Sequence, residues 1–322
     1  MRAYLTRRVL SMVPTLLLIF VVTFCIIRLA PGDPASLAAI TGDAGADGMN
    51  EQMQKVIEAK KKLLGLDRPI LMQFGIWFSN VAQGDLGESF YYKTGVATLI
   101  GQRLEPTLSL AALTILIAIV TAVPLGVLAA WRFGGWLDRA LMGFSVLGFS
   151  VPVFVLAYIL IWLVSLKLGW LPVQGYQRIA GGLGPWLYHL ALPSITLSVL
   201  YIALIARVTR ASVMDALGED YIRTARAKGL PEVRGLVRHA LANAAVPIVT
   251  VIGIGIALLI GGVVVTESVY AIPGLGRLTV DAVLARDFPT VQGLILFFSF
   301  IYVLVNLLVD LSYVFLDPRI RY

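Results

Sequence analysis

Long apolar runs separated by short polar breaks set the pattern of this chain. Six runs, over residues 9–27, 107–130, 140–166, 185–206, 244–266 and 288–309, contain no Asp, Glu, Lys or Arg. A helix rises about 1.5 Å per residue, so about 20 apolar residues cross the hydrocarbon core of a bilayer. Each run is read as one membrane-crossing helix. The fold class is then an all-α polytopic membrane protein with six transmembrane helices. The first run follows Arg2, Arg7 and Arg8 and could pass for a signal peptide. Its apolar part is longer than a usual signal core and no Ala-x-Ala-like site closes it, so it reads as an uncleaved first span.

The polar stretches carry patterns of their own. Residues 31–105 are too many for a simple connection. Met53, Val56, Ile57, Leu63 and Leu64 recur near helical spacing and end at Gly65; Asp67 and Pro69 suit a new helix start. Ile70, Phe74, Trp77, Phe78 and Val81 then form one apolar helical face, and 84–87 reads as a turn. The stretch predicts a small external helical subdomain, either a lid packed on the spans or a docking surface for an external partner. The chain divides accordingly into residues 1–30 (N-terminus and first span), 31–105 (external subdomain) and 106–322 (a core with five spans and an inner loop, 211–243).

Within that loop stands DYIRTARAKGLPEVRGLVRH, residues 220–239, charged and helical in pattern. Asp220 suits a helix cap, Gly229 the left-handed residue past a helix end, and Pro231 with Glu232 the start of a second helix. A charged helix tied to spans at both ends cannot enter the bilayer. It either rests on anionic headgroups or is offered to a soluble partner, whose groove would receive Tyr221 and Ile222 with the cations at its rim.

Two outer pieces also stand out. GWLPVQGY, residues 169–176, places a Trp and a Tyr at the membrane edge, where such rings anchor. ESVYAIPGLGRL, residues 267–278, is a turn punctuated by Pro273, Gly274 and Gly276, following a span that contains Gly253, Gly255, Gly261 and Gly262. Small residues serve close helix packing. The alternative is an outer gate or pathway wall built from Gly261, Gly262, Glu267, Ser268, Pro273 and Gly274.

Composition agrees with the runs. Of 322 residues, 58% are hydrophobic and 14% charged, against about a quarter charged in a soluble domain; mean hydropathy is +0.85. The single cysteine, Cys25, excludes a disulfide framework and a cysteine zinc site within one chain. The net charge is +7. With the N-terminus inside, Arg2, Arg7, Arg8, Arg132, Arg139, Arg207, Arg210, Arg223, Arg226, Lys228, Arg234, Arg238, Arg319 and Arg321 fall on the inner side. The short outer loops hold only Lys167, Arg178, Arg277 and Arg286. The bias places both termini, and the 220–239 segment, in the cytoplasm.

The motif RTARAKG, Arg223–Gly229, resembles the cytoplasmic EAA…G loop of ABC importer permeases, and DYIRTARAKGL the version found in the dipeptide/oligopeptide permease family. The likeness continues through LAPGDPA (29–35), QGDLGESF (83–90), SVPVFVLAY (150–158), GWLPVQGY, ESVYAIPGLGRL and the terminal DPRIRY. The general importer motif opens Glu-Ala-Ala where this chain has Arg223, Thr224 and Ala225, and its later proline would fall at Ala242. The resemblance implies the type I ABC importer permease fold in a bacterial inner membrane. It implies that Asp220, Tyr221, Ile222, Arg223, Thr224, Ala225, Arg226, Ala227, Lys228 and Gly229 form a coupling helix. It implies four partners besides lipid: a second homologous permease chain, two cytoplasmic ATPase chains that bind ATP-Mg, and an external substrate-binding protein. Relatives of this layout handle dipeptides, longer peptides, glutathione, nickel chelates or other small solutes.

The residues weigh against the rivals. No Gly-x-x-x-x-Gly-Lys-Ser/Thr loop exists for ATP, so this chain is not expected to be an enzyme or to hold a cofactor, metal or catalytic group. An ion-gradient-driven secondary transporter is the alternative, but the span interiors hold few ionisable groups, His189 and an edge-placed Asp310 among them. His189 and Ser194 share one helix without a third orienting group, and no His-Glu-x-x-His motif exists, which argues against an intramembrane protease. The basic residues are interrupted by Glu219, Asp220 and Glu232 and lack a stacking row, which argues against nucleic acid.

Overall fold

The computed structural model describes residues 2–29 and 68–316. The helix expected near 53–64, the motif LAPGDPA after its Leu29, and the terminal DPRIRY lie outside the described residues. In chain order the helices are α1 (Arg2–Leu29), α2 (Ile70–Ala82), α3 (Val96–Trp131), α4 (Trp136–Ser150), α5 (Val153–Leu160, continued by a π-helix over Ile161–Lys167) and α6 (Leu183–Gly218). They continue as α7 (Asp220–Ala227), the helical segment α8 (Glu232–Asn243, wound as a π-helix over Gly235–Ala240), α9 (Ala245–Val269), α10 (Leu275–Leu284) and α11 (Phe288–Leu316). The one β feature among the described residues is an isolated bridge between Glu88 and Gly95. These residues form two compact units: 2–5, 105–277 and 304–316 in one; 6–29, 68–104 and 278–303 in the other.

In the second unit α2 forms where the apolar spacing predicted it, starting after Pro69 (φ −55°, ψ 143°), whose fixed φ suits a helix entry. Phe74, Trp77 and Phe78 meet Phe20 and Phe24 of α1 at centroid distances of 5.0–5.8 Å, mostly edge to face. The turn expected at 84–87 is present, with positive φ at Gly84 and Gly87. The motif QGDLGESF then wraps a buried carboxylate. Asp287 accepts from Phe90 N–H (2.9 Å), Ser89 Oγ and Thr290 Oγ1 (2.7 Å), fixing the entry to α11.

The first unit is built on α6. Its buried face, including Leu190, Leu192, Leu197, Tyr201 and Ile205, shares a core with Leu110 and Ala118 of α3, Leu141 of α4, Ala157 of α5 and Val251, Leu259 and Val263 of α9. Gly253 lets α9 lie close to α11, since a Cβ there would stand 2.3 Å from a Val309 methyl.

Three helices, α3, α6 and α11, are each long and apolar enough to cross a membrane, and each of two bent pairs would add one span. The apolar stretch of α1, Leu10–Ile26, is shorter. The expectation of one helix over 140–166 is corrected: α4 and α5 meet at 104°. Proline disfavours helical geometry in the residue before it. Val151 accordingly sits at φ −91°, ψ 119° and Pro152 at φ −58°, ψ 139°, and two successive extended residues turn the chain. The run at 244–266 is continuous as α9, but α8 enters it at a 58° bend.

Candidate functional site

The 220–239 segment begins where Glu219 leaves the helical region (φ −70°, ψ 148°) and α7 starts at Asp220. Asp220 is thus the first helical residue and not the cap: no side chain caps this end. Its carboxylate instead faces Arg223 Nη1 at 3.4 Å, an exposed pair of little energetic weight. Asp220 in the first turn and Arg226 in the last still agree with the helix dipole.

The far end of α7 closes as the sequence predicts. Gly229 adopts φ +80°. Its N–H donates to Arg226 O (2.9 Å), and Leu230 N–H donates to Ala225 O (3.1 Å). This 5→2 and 6→1 pairing is a Schellman ending, which satisfies two carbonyls that the helix leaves open. Pro231 (φ −57°, ψ 138°) then starts α8, and Glu232 in its first turn accepts from Trp131 Nε1 at 3.4 Å.

The two apolar residues of α7 part company. Ile222 is 1% exposed and packs with Val213 and Ala216 of α6, Leu236 and Ala240 of α8, and Val127 and Ala130 of α3. It seats α7 on its own chain and is not available to a partner's groove, which corrects that part of the expectation. Tyr221 stays 41% exposed. Arg223, Thr224, Arg226, Ala227 and Lys228 are exposed beside it, while Ala225 is half-buried. The outward face of α7 is therefore one aromatic ring, a hydroxyl and three cations.

A buried ion pair near the same loop was not read from the sequence. Asp138 of α4 is 4% exposed and pairs in a bidentate fork with Arg210 of α6.

The turn at 267–278 is organised by Glu267. This carboxylate is fully buried at the end of α9. Oε1 accepts from Thr107 Oγ1 (2.6 Å) and Oε2 from Arg277 N–H (3.0 Å), while Thr107 Oγ1 accepts from Leu275 N–H (2.7 Å). Glu267 and Thr107 together take up open N–H groups in the first turn of α10, where an anion is favoured. Gly274 is required by contact: a Cβ would lie 2.1 Å from Glu267 Oε1. Gly262 packs closely under Leu197 and Tyr201, whereas a Cβ on Gly261 would meet nothing within 4 Å. Ser268 Oγ donates to Val264 O within α9. The segment 169–176 docks on this turn through Gly175 N–H to Tyr270 O (2.9 Å), and Tyr176 OH donates to Glu105 (3.1 Å). Burial raises the Tyr176 phenol above its ordinary pKa. His189 Nδ1 bonds to Pro185 O one helical turn before it (2.9 Å), a local packing role.

Comparison with known proteins bears on these features. Residues 122–322 match the model of the binding-protein-dependent transport system inner membrane component, and residues 1–111 match the N-terminal model of such membrane components. The chain is 49% identical over 322 residues, all of both chains, to the "Probable peptide ABC transporter permease protein y4tP" of Sinorhizobium fredii. It is 42% identical over 320 residues, 99% of each chain, to the glutathione transport system permease protein GsiC of Pectobacterium atrosepticum. Among solved structures, the MetNI methionine ABC transporter in inward-facing form aligns with a TM-score of 0.57 at 18% identity, over 68% of this chain and 96% of that one. The helical fold, the inner-loop motif and these full-length likenesses converge: the chain belongs to the family of binding-protein-dependent transport system inner membrane components, the permeases of ABC transporters.

Proposed function

We propose that this chain is one of two permease subunits of an ATP-driven importer that moves peptides or related small solutes, glutathione among them, into the cell. On this reading there are six spans, with each bent pair crossing once and α1 crossing as the first span; both termini then share one side, and the Lys/Arg bias makes that side, with α7, the cytoplasm. The described residues 68–104 belong to the external side. A second permease chain completes the pathway, two separate ATPase chains bind ATP-Mg below it, and an external binding protein delivers the solute. The relatives named for peptide and glutathione transport support the substrate class.

The observation that carries the reading is the outward face of α7. Tyr221, Arg223, Arg226 and Lys228 are exposed on a helix whose inner side is fixed by Ile222 and whose end is fixed by Gly229. A helix held in this way transmits force: an ATPase that grips it differently with and without ATP shifts the permease between two states by that difference in binding free energy. The chain lacks a phosphate loop, so the energy enters through this contact. At the other side, Gly261, Gly262, Glu267, Ser268, Pro273 and Gly274 form the outer wall of the pathway, with the Glu267 network keeping the turn rigid as it opens and closes.

The test is uptake by proteoliposomes containing the full complex. ATP inside with labelled peptide and binding protein outside should give uptake. A proton or sodium gradient without ATP should give none, and uptake under that gradient would establish the secondary-transporter alternative.

A further inference from the structure

The Asp138–Arg210 pair lies at a junction of three elements. Arg210 Nη2 donates to Asp138 Oδ2 at 2.8 Å and Arg210 Nε donates to Oδ1, so both carboxylate oxygens are engaged by one guanidinium. Gly134 N–H adds a third donor to Oδ2 at 3.0 Å. Gly134 has φ +77°, so the turn between α3 and α4 curls back over the carboxylate. The Phe133 ring lies 5.4 Å from the same guanidinium. The arginine is held on two sides, by a fork and by a ring, and its side chain is only 16% exposed.

Its position gives the pair meaning. Arg210 lies near the end of α6, a turn before Val213 and Ala216, on which Ile222 of α7 packs. The α3–α4 turn is tied to the loop a second time, through Trp131 and Glu232. The Ile222 cluster is close-packed and seats α7 on α3, α6 and α8, but it includes no residue of α4. The planar bidentate fork reaches α4 and fixes the angle and register of the elements that carry it. A buried ion pair gives little net stability compared with an apolar replacement, because desolvation opposes the attraction. Positional control accounts for such a pair better than stability does.

We infer that Asp138 and Arg210 are positioning residues that make α4 move as one body with α6 and the coupling helix, so that displacement of α7 reaches the bent α4–α5 pair. The inference rests on the importer reading. Loss of the fork leaves α7 attached to α6 through Ile222, while α4 keeps only apolar packing and the Ser145 Oγ to Ala203 O bond (3.3 Å) to α6, and its register loosens. ATP hydrolysis then continues while solute movement falls.

The experiment compares solute taken up per ATP hydrolysed in proteoliposomes of the full complex, for wild type, Asp138→Asn, Arg210→Lys and the double variant. Arg210→Lys keeps the charge and removes the fork, and it decides the question if Asp138→Asn fails to assemble. The expected result is an about tenfold fall in the uptake-to-hydrolysis ratio for each single variant, within the range of ordinary coupling energies, and no further fall in the double variant. Asp138→Glu, which keeps the carboxylate, should recover part of the ratio. Unchanged ratios in active complexes overturn the inference and leave the importer reading standing, as do additive losses in the double variant. Absence of ATP-driven uptake in wild type overturns both.

Discussion

The Schellman ending of α7 offers the sharpest test of the inner loop. Gly229→Val adds a β-branched side chain at a residue with φ +80°. A Cβ at this site would meet nothing within 4 Å, so no clash contributes. The cost is backbone alone, about 1–2 kcal/mol for a left-handed L-residue and more for a β-branched one. If the residue escapes to negative φ, the bonds from Gly229 N–H to Arg226 O and Leu230 N–H to Ala225 O go with it, each worth about 1 kcal/mol. Either route lowers the population of the native ending by about 5–30-fold. Because Ile222 still seats the helix, insertion and assembly should survive while the direction of α7 is lost. The assay is ATP-driven uptake beside ATPase activity in proteoliposomes, with Gly229→Asn as the tolerant control, since Asn enters the left-handed region readily. Uptake should fall sharply for Val and stay near wild type for Asn. Wild-type uptake by Gly229→Val would mean that the left-handed ending of α7 plays no part in transport.

Other outcomes follow from the same contacts. Ile222→Ala should destabilise the detergent-solubilised chain by about 2–5 kcal/mol in thermal unfolding, as expected for a side chain 1% exposed, whereas Tyr221→Ala should leave unfolding within about 0.5 kcal/mol and weaken co-purification of the ATPase. Glu267→Ala should cost about 1–3 kcal/mol by removing the acceptor of Thr107 Oγ1 and Arg277 N–H, and Glu267→Gln less, measured by the same unfolding. Gly274→Ala should prevent accumulation of folded chain, because the new methyl meets a fully buried carboxylate. Gly261→Ala, into open space, should keep or raise stability yet slow uptake; no effect on uptake would remove Gly261 from the pathway.

What the sequence disclosed and what it withheld divide along physical lines. The ending at Gly229 was legible because it is local: a glycine after a helical pattern and a proline two residues on. The facing of α2 was legible because Phe74, Trp77 and Phe78 share one helical side. The break at Val151–Pro152 was hidden because hydropathy measures composition, and the run on both sides of the break, 140–166, carries no charge. Proline alone did not reveal it, since Pro124 and Pro193 lie inside unbroken helices. The inward turn of Ile222 was hidden because Tyr221 and Ile222 are adjacent on a short helix, and only the elements packed beneath it decide which one is covered. Asp138–Arg210 and Thr107–Glu267 join residues 72 and 160 positions apart, and no local pattern pairs them.

The central claim is that α7 meets a separate ATPase chain on the inner side of the membrane. The most direct measurement places a cysteine at the exposed Ala227 (Ala227→Cys, with Cys25→Ser) and applies a short cross-linker with one thiol-reactive and one photoreactive end to the assembled complex. The expected result is a covalent product with the ATPase chain whose yield changes when ATP is added. Labelling of the same cysteine by a membrane-impermeant maleimide from outside intact cells, with no ATPase cross-link, would contradict it.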